Sequence, residues 1–191
     1  SSARPGSTLY TLLGLYLTGT LGFFGWALQR EAHSLALTAD GEVWGWGRND
    51  RGQLRPNKPA ISPNPQPILI PGQHKPIVAI AAGEKHSVAL GWNGVVLTWG
   101  NNTDNELGRN AGGFDSNPTS LNPPLALNPG GHQTTLPFLQ VSSKGRHTVI
   151  ITPTDVYAWG ANSRGQLGVG DTAVHTSVQT IRWPLAQLPN Q

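Results

Sequence analysis

An all-β fold made from one antiparallel unit used three times is what this 191-residue sequence predicts. Two observations carry that expectation. A phrase recurs as His33-Ser34-Leu35-Ala36-Leu37, His86-Ser87-Val88-Ala89-Leu90 and His147-Thr148-Val149. Each copy runs on to Trp46-Gly47, Trp99-Gly100 or Trp159-Gly160, then to Gly52-Gln53-Leu54, Glu106-Leu107 or Gly165-Gln166-Leu167. The internal spacing is nearly fixed, at 13, 13 and 12 residues from His to Trp and 8 from Trp to Leu, while the copies stand 53 and 61 residues apart. A repeat of this period signals one supersecondary unit that buries its faces against copies of itself and holds insertions in loops.

The first element in chain order lies ahead of the repeats. No charged residue occurs from Ser7 to Gln29, and Thr8 to Leu28 supplies 21 positions. As a helix these span about 31 Å, matching a hydrocarbon core of about 30 Å. Tyr10 and Trp26 fall near its two ends, where amphipathic aromatic rings favour the membrane interface. Gly14, Thr18 and Gly22 stand four apart and form a small-residue face that admits a second membrane helix. Residues 1–7 therefore read as a tail, 8–28 as a transmembrane helix and 29–191 as the repeat domain. A competing reading makes Gly19-Thr20-Leu21-Gly22-Phe23-Phe24-Gly25 a decayed hairpin, since it shares its glycine and aromatic spacing with Gly41-Glu42-Val43-Trp44-Gly45-Trp46-Gly47. Only 8 residues separate Gly25 from His33, against 39 from Gly47 to His86, and this favours the membrane helix.

Within each unit the pattern is that of a hairpin. Alternating apolar residues in Val78-Ala79-Ile80-Ala81 and Ser87-Val88-Ala89-Leu90 lead to Asp40-Gly41 or Asn93-Gly94, dipeptides that supply the positive φ angles of tight turns. An aromatic return strand follows, Glu42-Val43-Trp44-Gly45-Trp46 in the first copy and Asp155-Val156-Tyr157-Ala158-Trp159 in the third. The third copy lacks the turn glycine and one residue, which predicts a tighter turn. Outer strands are expected at Pro67–Ile70 and Leu136–Val141, and the long segments Pro56–Pro76 and Ala111–Gly131, rich in Pro, Asn and Gly, read as loops that follow the surface and gain order on a partner.

Gly83-Glu84-Lys85-His86-Ser87-Val88-Ala89-Leu90 with Trp99-Gly100-Asn101-Asn102 resembles the repeat of the regulator of chromosome condensation family. Trp159-Gly160-Ala161-Asn162-Ser163-Arg164-Gly165-Gln166-Leu167-Gly168 is closer still to its consensus. The resemblance covers roughly residues 27 to 171 and implies blades of a β-propeller, seven in the family. The chain departs from the pattern at Arg30 and Lys144, where a glycine precedes the histidine by three, and at Asn105 in the place of Gly52. Three copies do not make a ring of four to eight blades, so the expected architecture is a partial β-propeller of three blades, completed by a partner or by sequence elsewhere.

Composition narrows the setting. The chain has no Met, which suggests a start that has been cut away or lies elsewhere, and no Cys, which excludes disulfides and thiolate-bound metal. Charged residues are 12%, about half the usual share of a soluble domain, which suits burial in a larger assembly. A formal charge of +3 without a Lys/Arg cluster argues against a nucleic-acid partner. No nucleophile elbow, phosphate loop or His-Glu-x-x-His occurs, so neither catalysis nor a cofactor is expected. His33, His86 and His147 recur at one structural position and read as strand-end hydrogen-bonding groups. Trp46, Trp99 and Trp159, each followed by Gly47, Gly100 or Gly160, read as packing between blades.

Function follows from these parts only as an expectation. The uncharged span, the incomplete ring and the low charge point to a non-catalytic accessory subunit of a large membrane complex, bound to other subunits and to lipid. The expected location is the mitochondrial inner membrane, in a respiratory-chain or ATP-synthase assembly. The resemblance implies a different alternative, a nucleotide-exchange factor or scaffold for a small GTPase. A bacterial envelope or secreted binding protein is a further one. The family's ultraviolet-B photoreceptors are disfavoured, because Lys144-Gly145-Arg146-His147-Thr148 carries Gly145 where their phrase has tryptophan.

Overall fold

The computed structural model describes residues 27–30, 33–57, 59–71, 76–92, 94–121, 140–152 and 155–181. They form three four-stranded antiparallel sheets, each built from strands consecutive in the chain. Blade 1 contains β1 (Ala27–Arg30), β2 (His33–Leu37), β3 (Val43–Arg48) and β4 (Ile61–Ile68). Blade 2 contains β5 (Ile77–Ala82), β6 (His86–Gly91), β7 (Val96–Asn101) and β8 (Phe114–Ser120). Blade 3 contains β9 (Gln140–Lys144), β10 (His147–Ile151), β11 (Val156–Gly160) and β12 (Gln179–Ile181).

The register repeats with the sequence. His33 pairs with Gly47, His86 with Gly100 and His147 with Gly160, so each histidine phrase and its Trp-Gly close the same central hairpin. The turns share one threonine closure and differ in length: in blade 1 Thr38 Oγ1 donates to the Glu42 carbonyl and accepts from Glu42 N–H. In blade 1 Gly41 N–H donates to the Thr38 carbonyl at 3.0 Å, and Gly41 adopts φ +80°, a conformation that side chains disfavour. In blade 3, where the turn glycine is missing, Thr152 Oγ1 donates to the Asp155 carbonyl and accepts from Asp155 N–H, closing a loop one residue shorter.

The core is distributed between the blades. One cluster joins Leu35, Leu37, Val43, Leu54 and Ile68 of blade 1 to Ala89, Leu97 and Trp99 of blade 2. A second joins Val88, Leu90 and Val96 of blade 2 to Ile150 and Trp159 of blade 3. Alternation along each strand sends successive side chains to opposite faces, which is why the middle blade contributes to both clusters. The first strands approach one another, β1 with β5 and β5 with β9, so they mark the side on which the blades converge.

Several sequence expectations need correction. Ala27 and Leu28, the last two residues of the expected transmembrane helix, belong to β1 and pair with Ala36 and Leu35. Their backbone groups serve a sheet ladder, so the apolar run ends as the first strand of a blade. The described residues contain no helix, and none long and apolar enough to cross a membrane. The expected membrane helix therefore does not include 27–28, and the membrane location read from it does not hold; residues 8–26, with Tyr10, Gly14, Thr18, Gly22 and Trp26, lie outside the described residues. The segments read as loops each hold a fourth strand. β4 lies within Pro56–Pro76 and β8 within Ala111–Gly131. Pro63, Pro65 and Pro67 alternate along β4, and a sheet-edge strand tolerates proline because its outward N–H groups have no ladder partner to lose. Of the outer strand expected at Leu136–Val141, only Gln140 and Val141 are described, and they open β9, the first strand of blade 3.

Candidate functional site: the blade junctions and the charged end

Each blade presents a histidine to the next. His33 Nε2 lies 2.9 Å from Ser87 Oγ, and His86 Nε2 lies 3.0 Å from Thr148 Oγ1 and 2.9 Å from Ser143 Oγ. The hydroxyl residue follows directly on the histidine of its own blade, so Ser34, Ser87 and Thr148 are equivalent. Trp99 and Trp159 cross the same junctions in the reverse direction. Trp99 Nε1–H donates to the Gln53 carbonyl at 2.8 Å, which also accepts from Ser87 Oγ at 2.7 Å. Trp159 Nε1–H donates to the Glu106 carbonyl at 2.8 Å. Apart from the part-buried Ser143 contact, these bonds lie in fully buried surroundings, where an unmade bond is costly.

Burial fixes the protonation of the histidines. Removal from water pushes His33 down to about 4. Burial, helped by the neighbouring His33 and His147 rings, pushes His86 down to about 3. His147, at the outward face of blade 3, is half-buried and is lowered by burial and by Lys144. The Nδ1 atoms of His33 and His86 are buried without a partner, a cost carried by the neutral rings. A Cβ on Gly83 would collide with the His86 ring, which explains the glycine there. The glycine after each tryptophan has φ +97°, +108° and +101° at Gly47, Gly100 and Gly160, and a Cβ at Gly100 or Gly160 would meet the backbone just ahead of the paired histidine.

Loops on one end of the blades are pinned by residues the sequence reading did not single out. Asn49, Asn102 and Asn162 each stand three residues after the tryptophan. Their Oδ1 atoms accept from the N–H of Leu54, Leu107 and Leu167 at 2.9, 3.0 and 3.1 Å. Their Nδ2 groups donate to carbonyls farther along the loop, such as Arg55, Gly112 and Ala173. The residue directly before each of these leucines caps the turn with its own side chain. Gln53 accepts from Arg51 N–H, Glu106 from Asp104 N–H and Gln166 from Arg164 N–H. Asn101, first residue of a glycosylation sequon, is buried and donates to Thr103 Oγ1 and Glu106 Oε1, so its amide is not open to modification in the folded blade.

Charge is segregated between the two ends of the blades. Arg48, Arg51, Lys85, Arg146 and Arg164 lie at the end formed by the first-to-second and third-to-fourth strand connections, together with Asp50, Glu84, Asp104, Glu106 and Asp171, whereas the Arg55 and Arg109 guanidiniums turn back along the sheet to the Pro67 and Thr98 carbonyls. The opposite end, formed by the central hairpin turns, carries Asp40, Glu42 and Asp155 as its described charges. At the basic end Arg146 of blade 3 bridges to Glu84 at 3.2 Å and Asp104 at 2.9 Å on blade 2. Those two hydrogen-bonded carboxylates hold its guanidinium above the usual value. Arg48 pairs with Asp50 at 2.7 Å, and Arg109 with Asp115 at 2.9 Å. A polar hollow of about 210 Å³ opens there, lined by Arg51, Glu84, Lys85, Asn101 and Arg146 among others. No group of three or more His, Cys, Asp or Glu side chains able to hold a metal occurs among the described residues.

Repeated four-stranded antiparallel sheets packed through buried junction bonds define a β-propeller repeat protein. Two profiles described as regulator of chromosome condensation (RCC1) repeat match the chain, one over residues 40–90 and 155–185, the other over 77–106 and 138–166. The chain belongs to the RCC1 repeat family. Among curated relatives, the human protein named probable E3 ubiquitin-protein ligase HERC6 is 34% identical over 78% of this chain and 14% of its own length. Protein RCC2 homolog of Danio rerio is 33% identical over 72% of this chain and 26% of its own. The chain thus spans about a seventh to a quarter of the curated relatives it matches, and only their repeat portion. Two solved structures share the fold. Human WBSCR16 superposes with a TM-score of 0.70 at 23% identity, covering 85% of this chain and 40% of that one. Prp20p from Saccharomyces cerevisiae superposes with a TM-score of 0.67 at 24% identity, covering 85% and 39%. These relatives lend no support to a respiratory-chain or ATP-synthase subunit, nor to a mitochondrial inner-membrane location. A protein of the RCC1 repeat family replaces that expectation.

Proposed function

We propose that the chain is a non-catalytic protein-binding platform that regulates a small GTPase, and that it binds through the basic end of its blades. The carrying observation is the end-to-end segregation of charge. The exposed Arg48, Arg51 and Arg146 share one rim, and Arg48 and Arg146 are interleaved with carboxylates at hydrogen-bonding distance. Such a surface suits a protein partner presenting both signs of charge, and suits a phosphate backbone poorly, since the acids would repel it. Support for a GTPase comes from the family resemblance, which implies nucleotide exchange, and support for a protein partner from Prp20p, described for its binding to Gsp1p and histones. Arg51 is exposed, and Lys85 is half-buried and stands 4.0 Å from Glu84; both can reach an acidic partner.

The test is binding of the purified chain to small GTPases loaded with fluorescent GDP, followed by nucleotide release. Saturable, salt-sensitive binding and faster release are expected, and Arg51→Glu with Lys85→Glu should weaken binding at least tenfold while leaving the melting temperature unchanged. Binding indifferent to both substitutions, or none at tens of micromolar, would overturn the reading.

A further inference from the structure

A serine or threonine followed by proline, the dipeptide that proline-directed kinases read, occurs at Ser62-Pro63 and at Thr152-Pro153. The fold treats the two hydroxyls in opposite ways. Thr152 Oγ1 donates to the Asp155 carbonyl at 2.9 Å and accepts from Asp155 N–H at 2.8 Å, so it closes the blade 3 hairpin. Ser62 is the second residue of β4, the edge strand of its sheet, and its hydroxyl donates at the surface to the Asn64 carbonyl at 3.2 Å. The blades converge through their first strands, which leaves β4 on the perimeter.

The segment around Ser62 is already in the extended form that a kinase cleft takes up. Ring closure fixes φ at Pro63, Pro65 and Pro67. A following proline confines each of Ser62, Asn64 and Gln66 to extended backbone. The ladder also lets go here. Ser62 pairs with Gly47 and Gln66 with Gly45, and the register skips the three residues between Ser62 and Gln66. Two of those three are prolines, which have no N–H to leave unpaired. Ile61, Pro63, Asn64 and Pro65 are exposed, and a hollow of about 260 Å³ beside them is lined by Ile61, Ser62, Pro63 and Gln66 among others. A cleft can close over this stretch while breaking few bonds and ordering little that is not already ordered.

From this geometry we infer that Ser62 is a phosphorylation site for a proline-directed serine/threonine kinase, and that Thr152 is not. The kinase transfers the γ-phosphoryl group of MgATP. The bond from that phosphorus to the β-phosphate oxygen breaks, the bond to Ser62 Oγ forms, the hydroxyl proton passes to the kinase's base, and ADP leaves. Ile61, next to Ser62, is the strand partner of Arg48, so the added charge of about −1.5 to −2 arrives on the basic rim. The inference does not rest on the GTPase reading, because the site is defined by the chain itself and is tested with no GTPase present.

The test is incubation of the folded full chain with MgATP and, in parallel, an active mitogen-activated protein kinase or an active cyclin-dependent kinase. Incorporation of one phosphate per chain is expected with at least one of them, placed on Ser62 by tandem mass spectrometry, with Thr152 unmodified in the same sample. Ser62→Ala should cut incorporation at least tenfold. Pro63→Ala keeps the hydroxyl and removes the ring the kinase reads, so it should slow incorporation at least tenfold with an unchanged circular dichroism spectrum. No phosphate on Ser62 with either kinase, a rate indifferent to Pro63→Ala, or Thr152 modified as fast as Ser62 would overturn the inference.

Discussion

Blade 2 and blade 3 share one hairpin design, yet they differ in what the design achieves. In blade 2 both central strands are buried at every position, whereas in blade 3 His147, Val149, Val156 and Tyr157 are half-buried and Ile151 is exposed. The residue types are nearly the same. A blade between two neighbours gains apolar burial on both faces and joins two sets of crossing hydrogen bonds; a blade with one described neighbour gains half of that. Stability in this molecule therefore belongs to junctions more than to blades, as the nearest-neighbour behaviour of repeat proteins requires.

The largest test of that contrast is Trp99→Ala against Trp46→Ala. The first removes a wholly buried indole and its bond to Gln53, with an expected loss of about 3–5 kcal/mol. The second, measured at low protein concentration by urea denaturation, should cost about 1 kcal/mol or less. Equal losses would mean that the junction is not the unit of stability.

Acid should act on the same junctions. His33 and His86 are held neutral, at about 4 and about 3 against an ordinary 6.5, so below pH 6.5 the unfolded chain binds protons that the folded one refuses. Stability is complete above 6.5 and falls as pH drops towards 4, by about 1.4 kcal/mol per pH unit for each histidine. Urea titrations at pH 7, 6, 5 and 4.5 should show this slope. His147→Ala should change it little, and a pH-independent midpoint would break the account.

Asn102→Ala and Asn162→Ala probe features internal to a blade. Each removes bonds that pin one loop, at about 1–3 kcal/mol, and the two costs should be alike despite the difference in burial between the blades. Arg146→Ala should have the smallest effect. Its side chain is 52% exposed, so losing both bridges should cost under about 1 kcal/mol and less in high salt.

These contrasts bear on what could be read in the sequence. The central hairpins were legible because alternation, a turn dipeptide and a fixed His-to-Trp spacing all agree there. The fourth strands were not, since Ile61-Ser62-Pro63-Asn64-Pro65-Gln66-Pro67-Ile68 has the composition of a loop, and only its place on a sheet edge lets alternate prolines stand in a strand. β1 was absorbed into a longer apolar run, because hydropathy alone does not separate a first blade strand from the end of a helix. The pinning asparagines were within reach, as the constant spacing from tryptophan was in plain view. Their role was not, because it depends on carbonyls that only the folded loop brings round.

The two junction tryptophans have one more consequence. Each indole sits in a dry contact between two particular blades and donates to one particular carbonyl, so each is a built-in fluorophore whose emission colour reports a single seam. Trp99 reads the seam between blades 1 and 2, and Trp159 the seam between blades 2 and 3. Variants keeping one of them at a time would show whether the array comes apart in one step or unzips from an end.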